Sequence, residues 1–236
     1  MHPTDSIEIE KVQWLHFQIN TFSNSIMTLL LHPGYFPNIA NFAAIVQKDV
    51  CWEVMDNYQK QTFRNRCYVC TDLGLHMLNI PIKHVGNEKG KQRYASVKMD
   101  NDYPWQRQHW RTLETAYRTS PFFEFYEDDI APLFHKKFDS LMDYNLKSIE
   151  TICECLQINM PTSITESYEV AVPNKIDGRF LIKSKAKYVF EQPEYVQVFD
   201  DRNDFIPNLS VLDLLFNEGT NALTYLKDLQ LNLNNA

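Results

Sequence analysis

No HExxH, GxSxG, Walker loop or GxGxxG occurs in the 236 residues. The signatures of helix-borne zinc hydrolysis, serine-nucleophile hydrolysis, P-loop phosphate binding and dinucleotide binding are therefore missing. No apolar run approaches the roughly 18 residues that a membrane helix needs. The opening MHPTDSIEIEKVQW is polar and acidic, unlike a signal peptide, so the expectation is a soluble, cytoplasmic protein without a membrane span. Cysteines number five, and an odd count in a chain of this length argues for reduced thiols over a disulfide framework. Cys67 and Cys70 have C-x-x-C spacing, but on a strand that separation turns them to opposite faces, and Cys153 and Cys155 diverge on a helix. No metal site is expected.

What is present suffices for a sizeable core: 44% of residues are hydrophobic and 13% aromatic, and the length suits one large domain. The net charge of -7 hides an asymmetry, because Tyr58–Arg118 holds 11 Lys plus Arg against 5 Asp plus Glu. A basic middle in an acidic chain can concentrate a small anion while the remainder discourages nucleic-acid binding. A solvated charge pattern without function explains the same skew.

The run SIMTLLL (Ser25–Leu31) reads as a buried strand, stopped by HPGYFP, where two prolines and a glycine forbid continuation. NIANFAAIVQ places Ile39, Phe42, Ala43 and Val46 at helical spacing with Asn38 as cap, and DVCWEVM reads as a second strand apolar on both faces apart from Glu53. Strand, short helix and strand predict a parallel pair. RNRCYV, LHMLNIPI and ASVKM follow as strand candidates. Then come helices over YPWQRQHWRTLETAYR and APLFHKKFDSLMDYNLKSIETICECLQI, with Ser120-Pro121 as the break between the first helix and its successor. SITESYEVAV, AKYVFE and YVQVF are later strand candidates, and SVLDLLFNEGTNALTYLKDL a terminal helical stretch. The fold class is α/β: a single domain over residues 26–236 with a central mixed sheet containing an N-terminal parallel βαβ unit, followed by long helices and a few C-terminal strands. Residues 1–25 read as a dispensable N-terminal extension or an upstream start.

In open α/β sheets ligands lie beyond the carboxyl ends of the parallel strands. On that topology His32, Tyr35, Asp56, Asn57, Tyr58 and Lys60 converge. In an extended segment Arg64, Arg66 and Tyr68 share one side while Asn65, Cys67 and Val69 take the other, so two forked, permanently charged donors would face a phosphate or carboxylate. Pairing of these arginines with Asp56 or another carboxylate is the structural alternative. On the helix from Trp105, Arg107, Arg111, Glu114 and Arg118 form a charged stripe, whereas Gln106, Trp110, Leu113 and Tyr117, and beside them Trp105, His109, Thr112 and Ala116, form core-like stripes. Packing thus competes with a catalytic role for His109. His32 follows a strand and precedes a turn, and an ordinary histidine pKa near 6.5 suits proton transfer. Ser210 and Asp213 have capping-box spacing ahead of an apolar helix.

Five blocks in this order, HPGYFPNIANFAAI, KDVCWEVMDNYQKQTFRNRCYV, IPIKH, WQRQHWRTLETAYRTSPFFEFY and FIPNLSVLDLLFNEG, resemble the WbqC-like family, particularly its Bacteroidota-type members. The resemblance spans about Met27 to Leu226. His32, Pro33, Tyr35 and Pro37 match the family's opening His-Gln-Pro-x-Tyr-x-Pro motif, without its Gln. Arg64, Asn65 and Arg66 match its Arg/Phe-x-Asn-Arg block, and Trp105, His109 and Tyr117 its later helix block. The resemblance implies a bacterial enzyme of surface-polysaccharide (O-antigen-like) precursor biosynthesis, with acyl or aminoacyl transfer to a sugar as the reaction suggested for some members.

Together these readings make His32, Tyr35 and His109 the candidate catalytic residues, and Asn57, Tyr58, Lys60, Arg64, Asn65, Arg66 and Arg111 the candidate substrate-binding residues. The expected partner is an anionic small molecule, a nucleotide sugar or an activated acyl donor; no cofactor can be named. The alternative is a non-catalytic binding or scaffold protein that recruits a glycan precursor or a biosynthetic enzyme. A chain beginning at Met27 is expected to unfold cooperatively in urea, and loss of that transition would show that the first residues belong to the fold.

Overall fold

Leu29, Leu30 and Leu31 offer no polar side, and β1 (Leu29–Leu31) is buried on both faces, as a strand between covering layers must be. The computed structural model describes residues 27–83, 91–185, 188 and 190–233; the expected extension, residues 1–25, lies outside them. After Pro37 the chain enters α1 (Ile39–Gln47), where Asn38 Oδ1 accepts from Asn41 N at 3.0 Å as the expected cap. β2 (Val50–Trp52) returns parallel to β1, pairing Leu29 with Val50 and Leu31 with Trp52. The predicted N-terminal βαβ unit is present.

β3 (Arg66–Thr71) and β4 (Gly74–Asn79) form an antiparallel hairpin that, among the described residues, pairs with no other strand. ASVKM, by contrast, is not a strand. Tyr94–Ser96 is a 3-10 turn, and Lys98 and Met99 make only isolated bridges to Ser140 and Ile82. The cause is Tyr94, whose fully buried ring is drawn inward and whose hydroxyl donates to Pro33 O at 2.7 Å.

Three helices follow: α2 (Trp105–Tyr117), α3 (Phe123–His135) and α4 (Leu141–Cys155). The long apolar pattern read as one helix is broken between α3 and α4, where Ser140 Oγ accepts from Asp143 N at 3.3 Å and starts a new helix. Next come β5 (Ser163–Ile164) beside β2 and β6 (Ile176–Asp177) beside β1, both parallel, for the order β5-β2-β1-β6. The expected mixture of parallel and antiparallel pairing is therefore divided between two sheets. YVQVF does turn alternate residues inward, but its Tyr195 and Gln197 side chains bond Asp213 and the Ile206 backbone, and no strand forms there. Part of AKYVFE lies outside the described residues.

The terminal stretch divides into α5 (Val211–Glu218) and α6 (Asn221–Asp228). Ser210 Oγ accepts from Leu212 N at 3.3 Å, the cap its sequence spacing predicts. Asp213 does not complete a capping box: it is fully buried and accepts from the hydroxyls of Tyr117 and Tyr195, each at 2.6 Å. Burial raises its pKa, and those donors together with Gln197 and Asn217 oppose the rise. This carboxylate ties α2, the Tyr195 loop and α5 together.

Between α5 and α6 Gly219 sits at φ 55°, and a Cβ there would lie 2.5 Å from the Phe122 ring. Gly219→Ala is expected to destabilise the protein by about 1–3 kcal/mol through backbone strain and the clash, measured by urea unfolding. A loss below about 0.5 kcal/mol, the range of ordinary surface changes, would show that Phe122 moves aside freely.

Candidate functional site

Because β1, β2, β5 and β6 all run the same way, their carboxyl ends deliver side chains to one edge. His32 follows β1, Glu53 and Asp56 follow β2, Thr165 follows β5 and Arg179 follows β6. Arg64, from the turn before β3, completes the group: its Nη2 donates to Asp56 Oδ2 at 2.9 Å and to His32 Nε2 at 3.0 Å. His32 Nδ1 lies 3.2 Å from Glu53 O. A carbonyl can only accept, so Nδ1 carries the proton and Nε2 presents its lone pair to the guanidinium.

Burial lowers the His32 pKa below its ordinary value; the bond that a protonated Nε2 would donate to Asp56 Oδ2, 3.3 Å away, pulls it up, and the Arg64 charge adds to the lowering. Burial pushes Asp56 upward but is outweighed by the hydrogen bond and charge of His32 whenever that ring is protonated, by the Asn57 N–H at 2.6 Å and by Arg64, which hold the carboxyl below the usual range. The resting set is neutral His32, anionic Asp56 and cationic Arg64. Next to it Glu53 is buried, with Oε1 accepting from Met55 N at 2.8 Å and Thr165 Oγ1 at 3.0 Å, and with Oε2 3.9 Å from Arg179 Nη1. Arg179 is held mainly by Asp177, at 2.7 and 2.8 Å.

A pocket of about 410 Å³ opens above Arg66, lined by Tyr58, Lys60, Asn65, Asp100 and Tyr103 among others. Among the described residues neither Lys60 nor Arg66 forms an ion pair. Asn65 Nδ2 donates to Asn79 Oδ1 at 3.1 Å and Ile80 O at 2.9 Å, which fixes its amide orientation. That leaves Asn65 Oδ1, like Arg66 Nε and the deeper Arg64 Nε, buried without a partner among the described residues, and buried polar groups of this kind usually find one. The pocket thus pairs a cationic donor with an acceptor, which suits an anion that also carries a hydroxyl or N–H. Burial raises the Tyr58 phenol to about 12, against the pull of Arg66 and Arg64, so it is a protonated donor at neutral pH. Its ring lies 6.4 Å from that of Tyr94, which in turn faces the Arg64 guanidinium at 5.2 Å. Tyr58 is the link between the pocket and the buried cluster.

The structure brings Tyr58, Lys60, Asn65 and Arg66 to the lining of one pocket and joins His32 to Asp56. Arg64 is not a companion of Arg66 on an exposed face. β3 begins only at Arg66, strand alternation does not reach residue 64, and the Arg64 side chain is 0% exposed. Asn57 bridges Arg93 through its backbone and does not line the pocket. Arg111 stands in a separate pocket of about 430 Å³ with Thr71, Asp72 and Arg202. Tyr35 and His109 form a buried pair, Tyr35 hydroxyl to His109 Nδ1 at 2.8 Å, and burial brings the His109 pKa down to about 4 against the hydrogen bond it makes to the Asn79 backbone. Sequence reasoning missed Asp100, Asn79 and Tyr103 in the pocket and Thr165, Asp177 and Arg179 at the sheet edge. Asp100 arrives because its N–H donates to Pro81 O at 2.8 Å, a pairing across the intervening loop that no local motif announces.

A model of the WbqC-like protein family matches residues 32–188 and 184–225. An uncharacterized protein of Mycobacterium tuberculosis is 27% identical over 225 residues, covering 82% of this chain and 92% of its own length. No solved structure gives a significant match.

Removing one member of a buried ion pair strands the other, at a cost of about 3–5 kcal/mol. Arg64→Ala is expected to lose that much in urea unfolding. Arg64→Ala with Asp56→Ala should lose less than the two single changes summed, by about 0.5–3 kcal/mol. Strict additivity would mean that the two groups are not coupled.

Proposed function

This chain belongs to the WbqC-like protein family, and from that membership and the basic pocket we propose a cytoplasmic enzyme of bacterial surface-polysaccharide precursor biosynthesis, transferring an acyl or aminoacyl group to a sugar. The observation that carries the proposal is the pairing of an unpartnered Arg66 Nε with an unpartnered Asn65 Oδ1 in one concavity, with Lys60 beside them. Arg66 and Lys60 hold the phosphate of a nucleotide sugar or activated donor, Asn65 accepts from a hydroxyl, and the Tyr58 phenol donates. Asp100 is the carboxylate available to take a proton in the pocket. Arg64 acts through Asp56 and His32 as a positioning residue. His32 can exchange a proton with a ligand only after Arg64 releases its Nε2.

A second reading, a non-catalytic protein that recruits a glycan precursor, is favoured by one observation: none of His32, Tyr35 and His109 lines the pocket. The two readings agree on binding and differ on turnover.

Thermal-shift titration against nucleotide sugars, coenzyme A esters, nucleotides and inorganic phosphate tests the shared part. A ligand that binds only the native state raises its stability by about 2.7 kcal/mol at one hundred times Kd. Charge-assisted hydrogen bonds are worth about 1.5–3 kcal/mol, so Arg66→Ala is expected to weaken the saturable shift about tenfold or more. Unchanged affinity in a folded Arg66→Ala protein removes the pocket from the site. Mass analysis of the best ligand after incubation with candidate sugars then separates enzyme from recruiter.

A further inference from the structure

The segment between Lys60 and Tyr68 divides two cavities. On one side lies the basic pocket; on the other a cavity of about 730 Å³ is walled by Phe63, Tyr68, Leu75, Phe180, Ile206 and Leu209. The Tyr68 and Phe63 rings meet edge to face with centroids 6.0 Å apart. At the mouth Leu75 is 58% exposed, a large apolar side chain left in water beside a concave apolar wall.

The two cavities share a boundary. Gln61 lines the basic pocket and Ser184 the aromatic one, and Ser184 Oγ donates to Gln61 O at 2.6 Å. Arg66 and Tyr68 lie two residues apart on β3, both half-buried on the face opposite the buried Cys67 and Val69. At about 3.4 Å per residue, a charge on Arg66 and an apolar group on Tyr68 sit roughly 7 Å apart. That separation is a few carbon–carbon bonds.

Most of the aromatic cavity's wall is apolar, and several of its polar atoms are already engaged. Asn38 Oδ1 accepts from Asn41 N and Nδ2, Asn208 Oδ1 accepts from Ala40 N at 3.0 Å, and the Ser184 hydroxyl is spent on Gln61. Lys183 and Tyr188 also line the cavity, but the apolar majority, Phe63, Leu75, Phe180, Phe190, Ile206 and Leu209 among it, suits a hydrocarbon better than a sugar ring. We propose that the two cavities hold the two ends of one ligand, a phosphate that carries an apolar chain. The phosphate sits on Arg66 and Lys60, and the chain lies among Phe63, Tyr68, Leu75 and Phe180. This inference rests on the anion-binding reading of the basic pocket and adds the substrate class.

Calorimetric titration of the full chain with inorganic phosphate and with butyl, hexyl and octyl phosphate, each below its micelle concentration, tests it. Affinity is expected to rise about threefold to fourfold for each buried methylene. Leu75→Glu, a change at an exposed position, should flatten that dependence, and Arg66→Ala should weaken every member by the same factor without changing the slope. Phosphate binding with no dependence on chain length overturns the proposal and leaves the anion site standing. A dependence that survives Leu75→Glu overturns it too, because the chain would lie elsewhere. Concentration-dependent dimers that Leu75→Glu dissolves, together with a flat series, would make the aromatic wall an interface between copies and likewise end the proposal. Absence of binding by every phosphate, inorganic included, removes the anion reading and this inference with it.

Discussion

A guanidinium with no exposure to water has to find its counter-charge inside the protein, and the way Arg64 finds it fixes much of the fold. Its Nη2 holds Asp56, from the loop after β2, and His32, from the loop after β1. Its backbone carbonyl accepts from Asn145 Nδ2 at 2.7 Å, which brings in α4, and the same amide group donates to the Tyr94 hydroxyl at 2.6 Å. Two strand ends, a hairpin entry and a helix are thereby clamped around one cation. Networks of this kind contribute less net stability than their contact list suggests, since desolvation offsets most of the Coulomb gain. What they do supply is geometry: the register at which Tyr58 and Arg66 meet the pocket.

Seen from that clamp, the pocket is an outer layer on an inner one. The inner layer, His32, Asp56 and Arg64, is bonded to itself through Arg64 Nη2, with Arg64 Nε left over. The outer layer, Lys60, Asn65 and Arg66, retains a donor and an acceptor with nothing to bind. An ordered buried set beneath pocket-lining residues with unmade hydrogen bonds suits a ligand that supplies the missing partners, because the scaffold has already given up the entropy of ordering them. The buried Tyr35–His109 pair serves the same end from another side, because the His109 ring is bonded to the backbone of Asn79, whose side chain holds Asn65.

Several elements were legible in the chain itself. The LLL run, the NIANFAAIVQ helix with its Asn38 cap and the VCW strand could be read from period and capping alone, and their parallel pairing followed from the short crossover. That pairing was enough to bring His32 to Asp56. Where reading failed, a specific side chain had overridden a local pattern. Tyr94 pulled ASVKM off the sheet, Ser140 divided one apolar pattern into two helices, and the buried demands of Asp213 turned YVQVF into a loop.

The sequence by itself determined the α/β class, the N-terminal unit, the amphipathic faces of α2 and the presence of a basic segment between Tyr58 and Arg66, because each depends on residues near one another along the chain. Only the tertiary structure decided which cations are free. Arg64 and Arg66 are chemically identical and two positions apart. One is sealed against Asp56 and His32, while the other lines a pocket and forms no ion pair among the described residues, because β3 begins at Arg66 and Arg64 lies in the turn before it. The same holds for Asp100, carried to the pocket by a backbone pairing with Pro81 that no periodicity encodes. Burial and partnership are set by residues distant in sequence, which is why no local pattern encodes them.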